Sequence, residues 1–332
     1  MHDEPIPEPA AGEVRLRITS VGVCASDLHY YRDGRIGSTM LEEPLVIGHE
    51  AAGVVDALGE GVTNVAVGDR VAIEPTNPCG ECEFCRAGHY NVCPNVKFFG
   101  TPPVNGCFRD YITWPAHLAL KVPDSMTFDE AAIVEPMAVG VYAAKLAELK
   151  LEQTVAILGA GAIGLSTLQA AKIAGAKRII VSEPVKERRE LAARLGATEV
   201  IDPSACDVEK EFARLTNGTG PEVVIECTGE EDATAQASRI VKILGRVVVV
   251  GIPDQDSYTF VASPSRRKEL TVVFCRRSNL CAEPSIEWIG EGKIDAACMA
   301  THRFSLEDTA KAMELAIAKS DGVVRAVIAV SE

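Results

Sequence analysis

The sequence has no long apolar run, and it is poor in positive charge. None of its apolar stretches reaches the roughly 18–20 residues that a membrane-spanning helix needs, and the N-terminus shows no hydrophobic run typical of secretion. The 33 basic residues are outnumbered by 47 acidic ones, which gives a formal net charge of −14. This balance argues against a nucleic-acid partner and against an anionic membrane surface. We therefore expect a soluble, cytoplasmic globular enzyme.

Internal repeats and low-complexity tracts are also missing, so the domain organisation must come from changes in the hydrophobic pattern. The length of 332 residues suggests roughly two domains. Before residue 120, stretches such as VRLRI, VIGHEAAGVV and DRVAI are separated by turn residues, which predicts a mainly β region over residues 12–120. Residues 128–148 have a helical pattern, and we expect two helical pieces with Pro136 near their boundary.

The hydrophobic pattern changes at Thr154. From there, helical segments such as LSTLQAAKIAG and KERRELAARLG separate most members of a series of short β-branched strands: VAILG, RIIVS, EVI, EVVIEC, RVVVVG and LTVVF. Strands that are apolar on both faces and alternate with helices indicate a parallel doubly wound sheet. We predict the α/β class, with a β domain before this sheet and a mixed segment after about residue 276.

The first strand of the predicted sheet ends in a glycine turn. VAILGAGAIG places Gly159, Gly161 and Gly164 in G-x-G-x-x-G spacing between a strand and a helix. The first glycine permits the tight turn, the second lets the backbone approach a pyrophosphate, and the third lets helix and strand pack closely. The alternative is a glycine turn in an unrelated α/β protein. We predict dinucleotide binding and include Ile163, inside the turn, among the contacts.

An acidic residue at the end of the next strand indicates which dinucleotide binds. Glu183 closes RIIVSE about twenty residues after the turn, where a carboxylate can accept hydrogen bonds from the ribose hydroxyls and repel a 2′-phosphate. We therefore predict NAD as the cofactor. Lys186 and Arg188 follow closely and keep NADP as the alternative, and we count Arg188 among the cofactor-binding residues.

Four of the 11 cysteines lie within fifteen residues, in CGECEFCRAGHYNVC: Cys79, Cys82, Cys85 and Cys93. A short polar loop cannot bury four thiols, whereas a closed shell of four thiolates is what structural zinc prefers. The alternatives are disulfides and an iron–sulfur cluster. The other seven cysteines are scattered and indicate reduced cytosolic thiols.

A second group of chemically suitable residues lies in the β region. GVCASD contains Cys24 and Ser26, GHE contains His49 and Glu50, and IVEP contains Glu135. A thiolate, an imidazole and a carboxylate are the ligand types of a catalytic zinc with one open position. Each residue also has an ordinary structural interpretation, and spacing alone does not connect the segments.

The order of the motifs resembles that of the zinc-dependent medium-chain dehydrogenases. GVCASDLHYYRDGRIG, PLVIGHEAAGVV, the four-cysteine lobe, FFGTPP, FDEAAIVEPMAVGVYA and the glycine turn follow one another as in that family. DLHYY, GRIG, IECTG and THRFSLEDTAKAME are similar to its polyol branch, which includes sorbitol (L-iditol) and xylitol dehydrogenases. The resemblance covers about residues 5–330.

The resemblance implies a role for individual positions. Cys24, His49 and Glu50 match the ligands of the catalytic zinc, and the acid of the EP motif holds a zinc-bound water. The residues that the resemblance places in the catalytic site or the substrate pocket are Ser26, Tyr30, Phe98, Phe99, Glu135 and Arg276. In this family zinc stabilises the alkoxide of a secondary alcohol, hydride passes to the nicotinamide, and a relay that includes Ser26 releases the proton.

The resemblance also implies the architecture and the partners. We expect a GroES-like β domain over residues 1–135 with the zinc lobe at 79–93, a Rossmann domain over 136–275, and a C-terminal segment over 276–332 that returns to the first domain. The active site is expected in the cleft between domains. Two zinc ions per chain, a small-molecule polyol substrate and a homotetramer or dimer are implied as well.

Two departures from the family pattern affect these expectations. The chain starts near the family's PIPEP segment, which implies either a later assigned start or a β domain without its first hairpin. Arg277 stands where animal sorbitol dehydrogenases carry a pocket tyrosine, so the individual polyol stays open. Butanediol or threonine dehydrogenase activity is the alternative within enzymes, and a non-catalytic protein that reuses the fold is the alternative outside them.

Overall fold

The computed structural model describes residues 3–331 of the chain. Residues 3–121 are mainly β, and short strands alternate with helices from Thr154, as the hydrophobic pattern predicts. The strands are β1 (Glu13–Gly22), β2 (Arg35–Ile36), β3 (Thr39–Met40), β4 (Glu50–Leu58), β5 (Arg70–Ile73), β6 (Thr76–Asn77), β7 (Lys97–Phe98), β8 (Tyr111–Pro115), β9 (Ala119–Lys121), β10 (Thr154–Leu158), β11 (Arg178–Ser182), β12 (Glu199–Ile201), β13 (Val223–Glu226), β14 (Arg246–Val249), β15 (Thr271–Phe274), β16 (Ala300–Ser305) and β17 (Arg325–Ala329).

The helices are α1 (Ala25–Asp33), α2 (Glu83–Arg86), α3 (Phe128–Leu146), α4 (Ala162–Ile173), α5 (Lys186–Leu195), α6 (Val208–Leu215), α7 (Ala233–Ile240), α8 (Ala262–Arg267), α9 (Ala282–Gly290) and α10 (Thr309–Ala318). Short 3-10 helices cover Tyr90–Val92, Ala116–Leu118, Ala297–Met299 and Leu306–Asp308. None of the helices in residues 3–331 combines the length and the apolar character needed to cross a bilayer.

The described residues form two compact units. The first contains those up to Pro136 and those from Ala282 onward, and the second is Met137–Cys281. In the first unit, the strand order of the main sheet is β16-β17-β1-β4-β5-β9, and β8 also pairs with β1. Alternate residues of β1 are fully buried in the core of this unit, as Val14, Leu16 and Ile18 show. The C-terminal strand β17 is thus part of the same sheet as β1.

The second unit contains the predicted parallel sheet. Its strand order is β12-β11-β10-β13-β14-β15, and each of its neighbouring pairs is parallel. The central strands are buried on both faces, because helices cover the two sides of such a sheet. The predicted α/β fold class is confirmed. The strand order reverses between β10 and β13, which creates a crevice beyond their carboxyl ends.

One local prediction is wrong, and another is incomplete. The expected break at Pro136 is missing, and α3 runs through it as one helix. A proline inside a helix removes one hydrogen bond, but fully buried neighbours such as Ile133 and Met137 hold the helix in place. The mainly β region also contains α1, which starts directly after Cys24. The sequence feature that marks the start of α1 is Asp27, whose side chain accepts a hydrogen bond from the Cys24 amide, as in a capping box.

Candidate metal centre and cofactor turn

Three predicted metal ligands converge in the first unit. One donor atom from each of Cys24, His49 and Glu50 lies within 4.8 Å of the other two. The sheet register brings them together, because Gly22 at the end of β1 pairs with Glu50 at the start of β4. Cys24 follows that pair by two residues, and His49 precedes it directly. Antiparallel pairing of β1 with β4 thus brings Cys24 close to His49 and Glu50, although their spacing in the sequence does not predict this contact.

The Glu50 carboxylate is buried beside the thiol and the imidazole. A β-carbon placed on Gly22 would lie 2.2 Å from Glu50 Oε2, so only glycine leaves room for this carboxylate. Within the described residues, neither Glu50 oxygen accepts a hydrogen bond of good geometry. Arg325 Nη2 lies 3.1 Å from Oε1 and is the carboxylate's ion-pair partner. A buried carboxylate with unused oxygens beside a thiol and an imidazole is a suitable donor set for a divalent cation.

The Asp27 side chain connects the segment of Cys24 with the segment of His49. Its Oδ2 accepts from the Cys24 amide at 3.0 Å, and its Oδ1 accepts from the Gly48 amide at 3.0 Å. The same Oδ1 lies 3.5 Å from His49 Nδ1. A carboxylate at this ring nitrogen orients the imidazole and leaves Nε2 for a metal. Asp27 is fully buried, so water does not compete for these hydrogen bonds.

The charges around the centre shift the pKa values of its residues. Burial lowers the pKa of His49, but the Asp27 and Cys24 charges outweigh this effect and raise it well above the usual value. Burial also raises the pKa of Glu50, against the lowering effect of Arg325. The pKa of Glu135 is raised to about 8 by burial, with the Glu50 carboxylate adding to the shift. Glu135 is therefore electrostatically coupled to the ligand group.

Other predicted site residues divide between the two units. Ser26 Oγ lies 3.4 Å from His49 Nε2, and Tyr30 lies buried one turn later on α1. The Phe98 ring centroid lies 5.3 Å from that of His49. Phe99 was wrongly expected in a pocket wall: it lies in the turn after β7, and its ring packs into the core against Trp114. Arg276 follows β15 in the second unit, and its substrate contact stays a prediction.

Sequence reasoning gave no role to Asp27 and overlooked Arg325. The position of Asp27 three residues after Cys24 was a usable signal, because it is the capping-box position of α1. Arg325 had no such signal. Its Nη1 donates to the Val23 carbonyl at 2.6 Å across 302 positions of sequence. This buried guanidinium therefore contacts both the residue before Cys24 and the predicted ligand Glu50.

The four cysteines of the lobe have the geometry of a metal shell. Their sulfur atoms all lie within 4.8 Å of one another, and Cys93 Sγ is 3.5 Å from Cys79 Sγ and 3.9 Å from Cys82 Sγ. A tetrahedral zinc with Zn–S bonds of about 2.3 Å requires sulfurs roughly 3.8 Å apart. The thiols are free and not paired as disulfides. The residues fit a structural zinc.

In the metal-free lobe, the pKa values of two of the thiols are shifted in opposite directions. Hydrogen bonds from the Glu81 and Cys82 amides lower the pKa of Cys79 to about 6. Desolvation and the Cys82 thiol raise the pKa of Cys85 to about 12. A bound metal removes this asymmetry because it requires every ligand as a thiolate.

The glycine turn follows β10 in the second unit. Gly159 has a φ of +92°, which favours glycine. A β-carbon on Gly164 would lie 2.0 Å from the Gly159 carbonyl oxygen, whereas one on Gly161 would meet no heavy atom within 4 Å. Gly161 also precedes α4 without a side-chain cap. Open space and free amides at a helix N-terminus fit a pyrophosphate.

Glu183 lies at the carboxyl end of the neighbouring strand β11. Its Oε2 accepts from the Ala160 amide at 2.7 Å, and its Oε1 accepts from the Val185 amide at 2.9 Å. Arg189 donates to the Glu183 carbonyl and lies 2.7 Å from Asp202. The Glu183 carboxylate is thus hydrogen-bonded to the glycine turn itself. Arg188, the other predicted contact, is half-buried on α5.

Comparison with known families identifies two domains in the chain. Residues 10–124 match the alcohol dehydrogenase GroES-like domain, and residues 162–290 match the zinc-binding dehydrogenase domain. The sorbitol dehydrogenase of Bacillus subtilis is 39% identical over 94% of this chain and 89% of its own length. The L-idonate 5-dehydrogenase of Vitis vinifera is 36% identical over 93% of this chain and 86% of its own.

Solved structures are similar over nearly the whole chain. An Escherichia coli oxidoreductase of unknown specificity is 35% identical, with a TM-score of 0.94 over 99% of this chain and 95% of its own. A zinc-binding dehydrogenase from Sinorhizobium meliloti, bound to NADP, and an Escherichia coli alcohol dehydrogenase, complexed with NADH, are each 30% identical, with TM-scores of 0.89 over 98% of this chain and 94% of theirs. The chain belongs to the zinc-dependent medium-chain alcohol dehydrogenase family, with a GroES-like domain and a Rossmann-type domain.

Proposed function

We propose that the chain is an NAD-dependent zinc polyol dehydrogenase that oxidises a secondary alcohol of sorbitol, xylitol or a similar polyol to a ketose. The observation that carries the proposal is the convergence of Cys24, His49 and Glu50 within 4.8 Å. The similarity to sorbitol dehydrogenases supports the choice of a polyol. Family membership makes the chain an oxidoreductase, and the substrate is the proposed part.

Each residue of the centre has a task in this proposal. Cys24, His49 and Glu50 would hold the metal, and a zinc ion bound there supplies Lewis acidity that lowers the pKa of an alcohol. Asp27 keeps the His49 ring oriented, and Arg325 holds Glu50. Three protein ligands leave one coordination position for a substrate oxygen or a water.

Proton movement is assigned to the polar residues next to the ligands. Ser26 Oγ lies 3.4 Å from His49 Nε2 and can pass a proton from the alcohol toward solvent. Burial raises the pKa of Glu135 in the metal-free site, and we assign this carboxyl beside the ligands as a proton acceptor or donor. Tyr30 and Arg276 are proposed to contact the substrate hydroxyls.

NAD is the proposed hydride acceptor. The buried Glu183 lies beside the glycine turn, where a carboxylate disfavours the 2′-phosphate of NADP. Gly159, Gly161, Ile163 and Gly164 would surround the pyrophosphate. The similar structures hold NADP in one case and NADH in the other, so the preference is a property to measure on this chain.

The second proposed zinc belongs to the lobe, and its role is structural. Cys79, Cys82, Cys85 and Cys93 form a closed shell without an open position, which suits stability rather than chemistry. All 11 cysteines are free of disulfides, which supports a reducing compartment such as the cytoplasm. Metal analysis should give two zinc ions per chain, and one ion, in the lobe alone, would favour a non-catalytic protein.

A substrate panel tests the activity. Sorbitol, xylitol, the arabinitols, 2,3-butanediol and threonine are offered with NAD, and kcat/KM is measured by the absorbance of NADH. We expect a polyol to be used best, and Cys24→Ser to abolish that turnover because the metal loses one of three protein ligands. Preferential use of butanediol or threonine would replace the proposal by those alternatives. Full activity in zinc-replete Cys24→Ser would contradict the ligand assignment.

A further inference from the structure

A buried carboxylate lies where the parallel sheet of the second unit reverses its strand order. Glu226 is the last residue of β13, and only 1% of it is exposed. The reversal lies between β10 and β13, and dinucleotides bind beyond the carboxyl ends of the strands at such a point. Glu226 is outside the glycine turn and has no role in the proposal above.

The Glu226 side chain holds the loop that follows its own strand. Oε1 accepts from the Thr228 amide at 2.5 Å, the Thr228 hydroxyl at 2.7 Å and the Gly229 amide at 2.9 Å. Three donors on one oxygen fix the loop over residues 227–229. Such charge-assisted hydrogen bonds are stronger than neutral ones.

The same residue also holds the loop after β14. The Glu226 carbonyl accepts from the amides of Val250 at 2.8 Å and Gly251 at 3.1 Å. A β-carbon on Gly251 would lie 2.1 Å from the Gly229 nitrogen and 2.7 Å from Glu226 Oε2. Oε2 accepts no hydrogen bond from any described residue. The two loops, 227–229 and 250–252, are therefore packed on each other around one carboxylate, and we call them the paired loops.

The paired loops also contact the glycine turn. The Cys227 amide donates to the Leu158 carbonyl at 2.9 Å. A β-carbon on Gly159 would lie 2.8 Å from the Thr228 methyl group, so this methyl rests against the first glycine of the turn. A displacement of Thr228 would therefore also change the packing of the glycine turn.

The position of the paired loops indicates which half of a bound dinucleotide would contact them. Glu183 marks the adenosine side at β11, and the pyrophosphate site lies at the turn after β10. The second half of the cofactor must then cross the reversal point to the β13–β14 side. We propose that Glu226 is a positioning residue that shapes the paired loops into the seat of the nicotinamide half. This inference rests on the proposed dinucleotide binding.

Calorimetric titration with NADH and with AMP tests the inference. AMP contains only the adenosine half, so its affinity reports the β11 side alone. In Glu226→Gln, whose neutral amide oxygen accepts the three hydrogen bonds without the negative charge that strengthens them, we expect about tenfold weaker NADH binding. AMP binding should change by less than about twofold. Glu231→Gln is the matched control, because it removes the same charge from an exposed position of the neighbouring loop.

Thr228→Val provides a second variant if Glu226→Gln does not fold. It removes the hydroxyl that donates to Glu226 and accepts from the Glu230 amide, and it keeps a methyl group against Gly159. NADH binding should therefore weaken less than in Glu226→Gln, while AMP binding is retained. Unchanged NADH binding in these variants, or equal weakening of NADH and AMP, would overturn the positioning role. A wild-type protein that binds neither NADH nor NADPH would overturn the proposed function first, together with this inference. Selective binding of NADPH would overturn only the NAD assignment, and the same variants would then be compared with NADPH.

Discussion

At the scale of single residues, the proposed metal centre depends on a residue that is not one of its proposed ligands. Asp27 joins the Cys24 amide, the Gly48 amide and the His49 ring. Loss of a carboxylate behind a metal-bound histidine costs about 10–100-fold in metal affinity or activity. We therefore expect Asp27→Asn to weaken zinc at the catalytic site by about that factor.

Competition with a fluorescent zinc chelator measures this affinity. Asp33→Asn is the matched control, since Asp33 lies on the same helix and its side chain is 38% exposed. Equal zinc affinity in Asp27→Asn and wild type would show that Asp27 has only a capping role in α1.

A second residue-scale prediction concerns pH. In zinc-free protein, burial raises the pKa of Glu135 from 4.5 to about 8. The folded state then holds this proton more tightly than the unfolded state, so its stabilising effect is complete below pH 4.5 and is lost as the pH rises through 8. The raised pKa of His49 acts in the same direction above its usual 6.5. Zinc-free protein should thus lose stability between pH 5 and 9.

Urea unfolding of zinc-free wild type and Glu135→Gln, at pH 6 and at pH 8.5, isolates the contribution of Glu135. Glutamine does not titrate. Between pH 6 and pH 8.5, the unfolding free energy of Glu135→Gln should therefore fall by about 1–3 kcal/mol less than that of wild type. Equal falls in both proteins would mean that Glu135 is not the group that titrates.

A third residue-scale prediction concerns cofactor choice. Glu183→Ala removes the carboxylate that disfavours a 2′-phosphate, so the ratio of kcat/KM for NADP to that for NAD should rise about tenfold. The absolute kcat/KM for NAD should also fall, because Glu183 accepts hydrogen bonds from Ala160 and Val185 and thereby holds the turn. Glu190→Ala, an exposed charge on α5, serves as the control. A constant ratio would show that Glu183 does not contact the ribose.

At the scale of elements, the cysteine lobe has little besides its thiols to organise it. Of the described residues 79–93, only Asn91 and Cys93 are buried, so packing contributes little to its fold. Cys82→Ala leaves three thiolates and weakens the lobe zinc. We expect one zinc ion per chain to be lost, the melting temperature to fall and the substrate KM of the folded fraction to stay near that of wild type.

Zinc analysis, differential scanning calorimetry and steady-state kinetics check this prediction. Cys206→Ala, which removes an exposed thiol outside the lobe, should leave all three properties unchanged. A stable Cys82→Ala protein with a thousandfold lower kcat would instead place the four-cysteine site in catalysis.

The elements also show what a single sequence can and cannot predict. The parallel sheet was predictable because β-branched runs and helical segments are local patterns, and the four cysteines were predictable because their spacing is local as well. The meeting of Cys24 with Glu50 depends on the pairing of Gly22 with Glu50 across two strands, which spacing does not encode. The resemblance to a family supplied that link.

Other features of the site depended on contacts that no local pattern contains. Arg325 reaches Val23 and Glu50 only because β17 pairs with β1. Phe99 matched a family position and still packs into the core, because it lies in the turn after β7, where its ring contacts Trp114. The continuity of α3 through Pro136 likewise depends on buried neighbours, which override the local preference of proline.

At the scale of the whole molecule, β15 leaves one edge of the parallel sheet unpaired within the described residues. Unpaired strand edges invite pairing with another chain. On this edge Phe274 is 55% exposed, and its ring centroid lies 5.3 Å from that of Tyr258. We propose that a second copy of the chain pairs here, as one interface of a homotetramer or dimer.

A charged side chain at this edge should separate the copies, because strand edges are protected from association by lysine. Phe274→Lys should therefore lower the mass measured by analytical ultracentrifugation to that of a smaller assembly or a monomer. Leu151→Lys is the control, since Leu151 is 76% exposed elsewhere in the same unit. An assembly whose mass is the same in wild type, Phe274→Lys and Leu151→Lys would place the subunit contact on another surface.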